Sequence, residues 1–179
     1  MERLPAELDP SQYRSLSEVY SYIKSEHGDL DAFSCFGQTL SYADWDSLAG
    51  HFAAWLHHVA GLRPGDRIAI QLPNLLQFPV ALLGAVKAGL VVVNTNPLYT
   101  AHEMAHQFKD SEVKAVVILA SFCDKLQSII RDTQIEQVIV SDLGDLQPTP
   151  RRQLMNFAAR YVKRVVPKFD LPGAVAFMD

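Results

Sequence analysis

A chain of 179 residues is long enough for one domain with its own core, and 49% apolar against 20% charged residues is globular rather than disordered composition. The net charge of −4 is too small to point to nucleic acid or an acidic ligand for the whole chain. The balance is uneven, because six of the 16 basic residues fall between Arg151 and Lys168 with no acid among them, which leaves the rest at −10.

The opening MERLPAELDP has acids and a proline where a signal peptide needs an apolar run, so no secretion signal is read there. Ser15 or Ser17 then opens a short amphipathic helix carrying Val19, Tyr20 and Ile23, and Gly28 ends it. Asp31–Phe36 is predicted as a strand that turns through Gly37-Gln38, a type II′ loop, into Thr39–Tyr42. Ser41 caps the next helix with Asp44 at its third position, a variant capping box. Along it Trp45, Leu48, Ala49, Phe52, Trp55, Leu56 and Val59 share one face, and Gly61 and Pro64-Gly65 turn the chain.

Gly65 to Pro97 is the apolar centre of the chain. Two β-branched runs, Ile68–Ile70 and Leu90–Val93, flank a helix from about Asn74 to Ala88, the pattern of a buried βαβ unit. Asn74 is read as the cap with Gln77 reaching back. Pro79 is expected to bend the helix, and Gly84 and Gly89 to mark close approach of a neighbouring backbone. The uncharged run Ile68–Val86 is no membrane span, since Gln71, Pro73, Asn74, Gln77 and Pro79 interrupt it.

Thr100 begins a helix to about Asp110 with Met104, Ala105 and Phe108 inward; Ala115–Leu119 and Gln137–Val140 are strands around a Phe122–Asp132 helix. This alternation predicts an α/β fold, a mainly parallel sheet flanked by helices, with a short N-terminal hairpin. Gly144–Pro150 reads as a linker, dividing the chain into residues 1–146 and 147–179. Beyond it, Leu154, Phe157, Ala158, Tyr161, Val162 and Val165 form an apolar stripe beside Arg151, Arg152, Arg160, Lys163, Arg164 and Lys168. The first reading of this helix is a surface element packing its stripe on the domain. The second is an interfacial helix drawn to anionic lipid, a peripheral contact on the inner face of a membrane. Nucleic acid is disfavoured, since there is no aromatic interleaving and no second patch.

One catalytic pattern is literal: His102-Glu103-Met104-Ala105-His106 is H-E-x-x-H, whose histidines share a helix face and could hold zinc with Glu103 activating its water. A third ligand is wanting, because Lys109 and Glu112 occupy the positions of the extended pattern and Glu136 lies near another strand. A zinc hydrolase therefore stays a remote alternative. His57-His58 suit a helix C-terminus. Cys35 and Cys123, beside Phe36 and Phe122, read as free buried thiols of a reducing cytosol. Asp29/Asp31 and Asp142/Asp145 lie in turns, where aspartate serves the backbone. No Gly-rich phosphate loop, Gly-Lys pair or G-x-S-x-G elbow occurs.

Taken together, TLSYADWDSLAGHFAAWL, GLRPGDRIAIQLPNLLQFPVALLGAVKAGLVVVNTNPLYTAHEM and DSEVKAVVILASF resemble the start of the adenylate-forming enzymes. The tail RYVKRVVPKFDLPGAVAF narrows the resemblance to bacterial long-chain fatty acid–CoA ligases. It covers nearly all of this chain and about the first third of the family's. It implies the N-terminal subdomain of that fold, and a parent enzyme that uses ATP, Mg2+ and CoA to convert a long-chain fatty acid to its acyl-CoA in the cytoplasm. Family members commonly carry arginine at the place of His102, which makes the histidine pair incidental. The family's phosphate loop, Y-G-x-T-E segment, ribose-binding aspartate and C-terminal lysine have no counterpart here. No catalytic, cofactor-binding or metal residue is therefore assigned, no cofactor is expected on this chain alone, and the chain is expected to be inactive by itself. The apolar run before Asp179 reads as an unfinished element. A stand-alone binding or oligomerisation module is the alternative reading, and a homo-oligomer is expected, by exchange of the segment before Asp31.

Overall fold

The hydroxyl of Ser15 accepts the N–H of Glu18 and opens α1 (Leu16–His27), the first element of a computed structural model that describes residues 12–179. MERLPAELDP lies outside the described residues. No residue of α1 is fully buried; Val19, Tyr20 and Ile23 are half-buried against the domain. An antiparallel hairpin follows, β1 (Asp31–Cys35) and β2 (Gln38–Ser41), with Cys35 opposite Gln38. The turn residues are therefore Phe36 and Gly37, both with positive φ (50° and 73°), which is type I′ and not the type II′ turn predicted at Gly37-Gln38. Phenylalanine seldom adopts that conformation, so local propensity placed the turn one residue late.

The capping box predicted for α2 (Tyr42–His58) is present: Ser41 Oγ accepts the Asp44 N–H and the Asp44 carboxylate accepts the Ser41 N–H. Those bonds, the Ser41 hydroxyl first, hold the Asp44 carboxyl below its usual range. Trp45, Ala49, Phe52 and Leu56 of the predicted face are buried, while Val59 has run out to solvent.

β3 (Arg67–Gln71), α3 (Gln77–Lys87) and β4 (Val91–Asn94) form the βαβ unit. Its helix starts three residues later than predicted, and Asn74 does not cap it. Gln77 is turned across the sheet instead, its Nε2 donating to the Asp142 carbonyl at 3.0 Å. Pro79 is then the third helical residue, where the backbone N–H would have no intrahelical partner, so it removes no bond. Its carbonyl accepts the Trp45 indole N–H at 2.8 Å and ties α2 to α3. Gly84 marks the close approach expected of it, since a Cβ there would lie 3.0 Å from the Ala49 carbonyl oxygen and 2.7 Å from Phe52 Cδ1. Gly89 lies past the helix end, with φ +70°, against Pro64.

After α4 (Ala101–Asp110) come β5 (Ala115–Leu119), α5 (Cys123–Ile129) and β6 (Gln137–Ser141), then α6 (Arg151–Phe157), a π-helical turn (Ala158–Val162) and the short β7 (Val175–Ala176). The five-stranded sheet has order β4-β3-β5-β6-β7 and is wholly parallel. Right-handed crossovers force α3, which leads one way from β3, and α4 and α5, which lead the other way, onto opposite faces. Ile68, Ile70, Val117 and Ile139 accordingly pack under α2 and α3. Ala69, Val116, Ile118 and Val138 pack under α4 and α5. β3 and β5 are covered on both faces, which is why they read as unbroken apolar runs.

One ion cluster ties three helices together. Asp46 of α2 takes Lys24 of α1 at 2.7 Å and Lys87 of α3 on its other oxygen. Burial raises the Asp46 carboxyl, but the bonds from Lys24 and Lys87 outweigh it and leave the group below its ordinary value of 3.8. A depressed carboxylate stabilises the fold at neutral pH and loses that contribution as pH falls through its folded value. Asp46→Asn should cost about 1–2 kcal/mol at pH 7, mostly through Lys87, because Lys24 is half-exposed and screened. Denaturant melts should show the gap to the parent closing below the usual carboxylate range; a gap constant from pH 7 to pH 2 would contradict this.

Candidate functional site

In an open parallel sheet the binding crevice lies at the C-terminal ends of the strands where the order reverses, here between β3 and β5. Gln71 ends β3 there, fully buried, and its Nε2 donates to the Asn96 carbonyl at 3.3 Å. Its Oε1 has no partner. The loop after β4 folds over this point: Thr95 N–H bonds to the Ile70 carbonyl, and Tyr99 N–H to Asn96. Lys125 of α5 reaches the Tyr99 carbonyl at 2.8 Å and stands 5.5 Å over the Phe122 ring. The crevice is thus filled by the chain's own loop.

Two cavities lie elsewhere. One, of about 340 Å³, is lined by Leu48, Phe52 and Trp55 of α2, Ile139 of β6, and Val175 and Phe177 around β7. The other, of about 360 Å³, lies between the hairpin and the start of α3, with Phe33, Cys35, Trp45 and Leu75 in its wall. Both are mostly apolar; the first has His51 and Asp179 in its lining, and the second has no charged side chain.

The H-E-x-x-H residues are on a helix as predicted, but Glu103 is engaged there. Thr100 caps α4, and the Glu103 carboxylate accepts both the Thr100 N–H and its hydroxyl at 2.8 Å. These bonds, the backbone one first, hold Glu103 below its usual range. His102 and His106 are exposed, and among the described residues no three histidine, cysteine or carboxylate groups come together in a way that could hold a metal. His57 donates from Nδ1 to the Leu62 carbonyl at 3.0 Å, at the end of α2. Asp145 closes the turn after β6, its carboxylate accepting the Ser141 hydroxyl and the Asp142 N–H; burial pushes its carboxyl up. Cys123 is buried and free, and desolvation pushes its thiol up to about 12, so it is no nucleophile at neutral pH. Cys35 is free and half-buried.

Gly144–Gln147 is packed. The Gly144 N–H donates to Asn156 Oδ1 at 2.7 Å, and Gln147 Nε2 donates to the Cys35 carbonyl at 3.1 Å. The helix that follows turns out reversed from its first reading. Asn156, the buried Ala159 and Arg160, which pairs with Asp142 at 3.2 Å, face the domain. Leu154, Phe157, Tyr161 and Val162 face solvent. The stripe is not packed on the domain because the turn after β6 engages the polar side of the helix.

A phosphoryl-transfer centre needs backbone amides, a metal and a cation converging on one place. Among the described residues no group of three metal-ligating side chains supplies the metal of such a centre. What the geometry defines is a parallel α/β sheet covered by helices on both faces. The family model for AMP-binding enzymes matches residues 23–175, and the chain belongs to that family. Among its relatives, the long-chain-fatty-acid–CoA ligase of Salmonella typhimurium is 40% identical over 97% of this chain, and the match covers 31% of the relative. The chain thus spans about a third of the length of the curated relatives it matches. Among solved structures, Mycobacterium smegmatis MbtA superposes with a TM-score of 0.68 at 26% identity, over 91% of this chain and 31% of that one. The anthranilate CoA ligase AuaEII superposes with a TM-score of 0.72 at 14% identity, over 92% and 27%, a likeness of fold alone.

Proposed function

We propose that this chain is the N-terminal structural subdomain of a long-chain fatty acid–CoA ligase. The whole enzyme would activate a fatty acid with ATP and Mg2+ to an acyl-adenylate and pass the acyl group to CoA. The observation that carries this is 40% identity along nearly the whole chain to ligases about three times as long. The role of the chain in that enzyme is scaffold: residues 12–146 build most of the α/β subdomain, and residues 147–179, which return β7 to the edge of its sheet, lead on toward the part that gathers the phosphates. No residue here is assigned to catalysis, cofactor or metal, and the chain by itself is inactive. Reading the coding sequence past Asp179 tests the assignment. Continuation into a Ser/Thr/Gly-rich loop ending in lysine supports it, and a stop codon there contradicts it.

We further propose that the isolated chain self-associates by exchange of the segment before Asp31. α1, held by half-buried side chains and the Lys24–Asp46 pair, is the element best placed to detach. Light scattering should give a dimer or larger species at high micromolar concentration; a monomer would contradict this.

A further inference from the structure

His102 and His106 stand one turn apart on the outer side of α4, which sends Met104 and Phe108 into the core and leaves both imidazoles exposed. Side chains at i and i+4 of a helix are neighbours, about 5–6 Å apart at Cβ. The backbone beneath this pair is fixed at both ends. Thr100 and Glu103 exchange capping bonds before it, and the Ser111 N–H closes on the Gln107 carbonyl after it. Glu103 is occupied as a cap, so it neither competes for a bound ion nor serves as a base beside one. Among the described residues the one histidine ring held in a hydrogen bond is that of His57, at the end of α2. Of the nearby charges, the Lys125 amine is taken up by the Tyr99 carbonyl, while Asp110 follows His106 at the next i+4 place, exposed, with Lys109 beside it.

We propose that His102 and His106 form a two-point surface chelate for a borderline transition-metal dication of the Ni2+ or Zn2+ kind. Imidazole nitrogen suits these metals, and water would fill the remaining coordination positions. A closed or catalytic zinc centre needs at least three protein ligands, which this face does not gather. An exchangeable chelate needs only two in register, and the capped helix supplies that register in advance, so little ordering is left for the ion to impose. The metal of phosphoryl transfer is a different matter, because Mg2+ takes oxygen ligands. An ion held across this turn would clamp the first two turns of α4, the helix that carries the loop folded over Gln71. It would bind the folded helix in preference to the unfolded chain and so stabilise the domain. The proposal stands on the geometry of α4 and is independent of the ligase reading.

Calorimetric titration with NiCl2 and thermal melts test it on the chain free of any affinity tag. Ni2+ is the probe because, unlike Cu2+, it does not oxidise the free thiol of Cys35. At about five times its Kd, Ni2+ should raise the melting temperature by about 2–4 °C. Mg2+ at the same concentration should leave it unchanged. His102→Asn and His106→Asn should each weaken Ni2+ binding about tenfold or more, since one imidazole alone is no chelate. The double variant should lose little beyond either single one. Without metal all three should melt with the parent, because neither side chain is packed. Losses that simply add would mean two independent surface histidines and would overturn the proposal. So would a parent that Ni2+ does not stabilise, or Ni2+ binding that survives either substitution, which would place the ion elsewhere, as at His57-His58.

Discussion

Phe108→Ala is expected to lower the unfolding free energy by about 3–5 kcal/mol, out of the 5–15 kcal/mol usual for a domain. Phe108 is fully buried on α4, packed in one cluster with Met104 of the same helix, Val116 of β5 and Leu126 of α5. Its removal gives up the transfer energy of a whole ring and leaves a void that β3 and β5 cannot close, because their other faces are already packed under α2 and α3. Met104→Leu at a neighbouring site conserves volume and should cost less than about 1.5 kcal/mol. Thermal melts of the two variants would check this. A Phe108→Ala loss as small as that of Met104→Leu would mean that the α4 face of the core is loose.

Gly84→Val is the second large effect, expected to cost about 1–3 kcal/mol or more by overpacking. The helix contact between α2 and α3 leaves no room there. Phe52 could give a little, since its ring can turn, but the Ala49 carbonyl is backbone and can yield only by moving α2 outward. That movement would pull Trp45 away from the Pro79 carbonyl. Indole fluorescence should therefore change together with the melting temperature. Unchanged stability with unchanged fluorescence would show that the two helices are not in the contact described.

Much of the fold was legible where sequence and structure are local. The apolar run Ala115–Leu119 is β5 to the residue, because five residues rich in β-branched side chains are too short for a helix and suit a strand buried on both faces. The Ser41/Asp44 cap is likewise written in spacing alone, whereas Thr100 stood only as a helix start and Glu103 only as part of a metal motif, and the structure joins them as a cap. The misplaced features all depend on distant partners. Gln77, read as reaching back to the helix cap, donates instead to the Asp142 carbonyl, 65 residues away. Gln147 reaches Cys35 across 112 residues, which turned an apparent linker into packed chain. Periodicity found the apolar stripe of the last helix but could not say which way it faces. Asp142 and Gly144 decided that, by taking the polar side. At the candidate site the buried amide of Gln71 carried no sequence signal beyond a glutamine in an uncharged run, and among the helices the Asp46 cluster carried none beyond one aspartate on α2.

On the proposed function the chain is the frame of a ligase and not its reaction centre. Pyrophosphate release from ATP, Mg2+ and oleate tests this most directly, with a full-length fatty acid–CoA ligase as the positive control. The 179-residue chain should give no more pyrophosphate than its own boiled sample. Release above that level by the pure chain would place an adenylating centre within these residues and contradict the account.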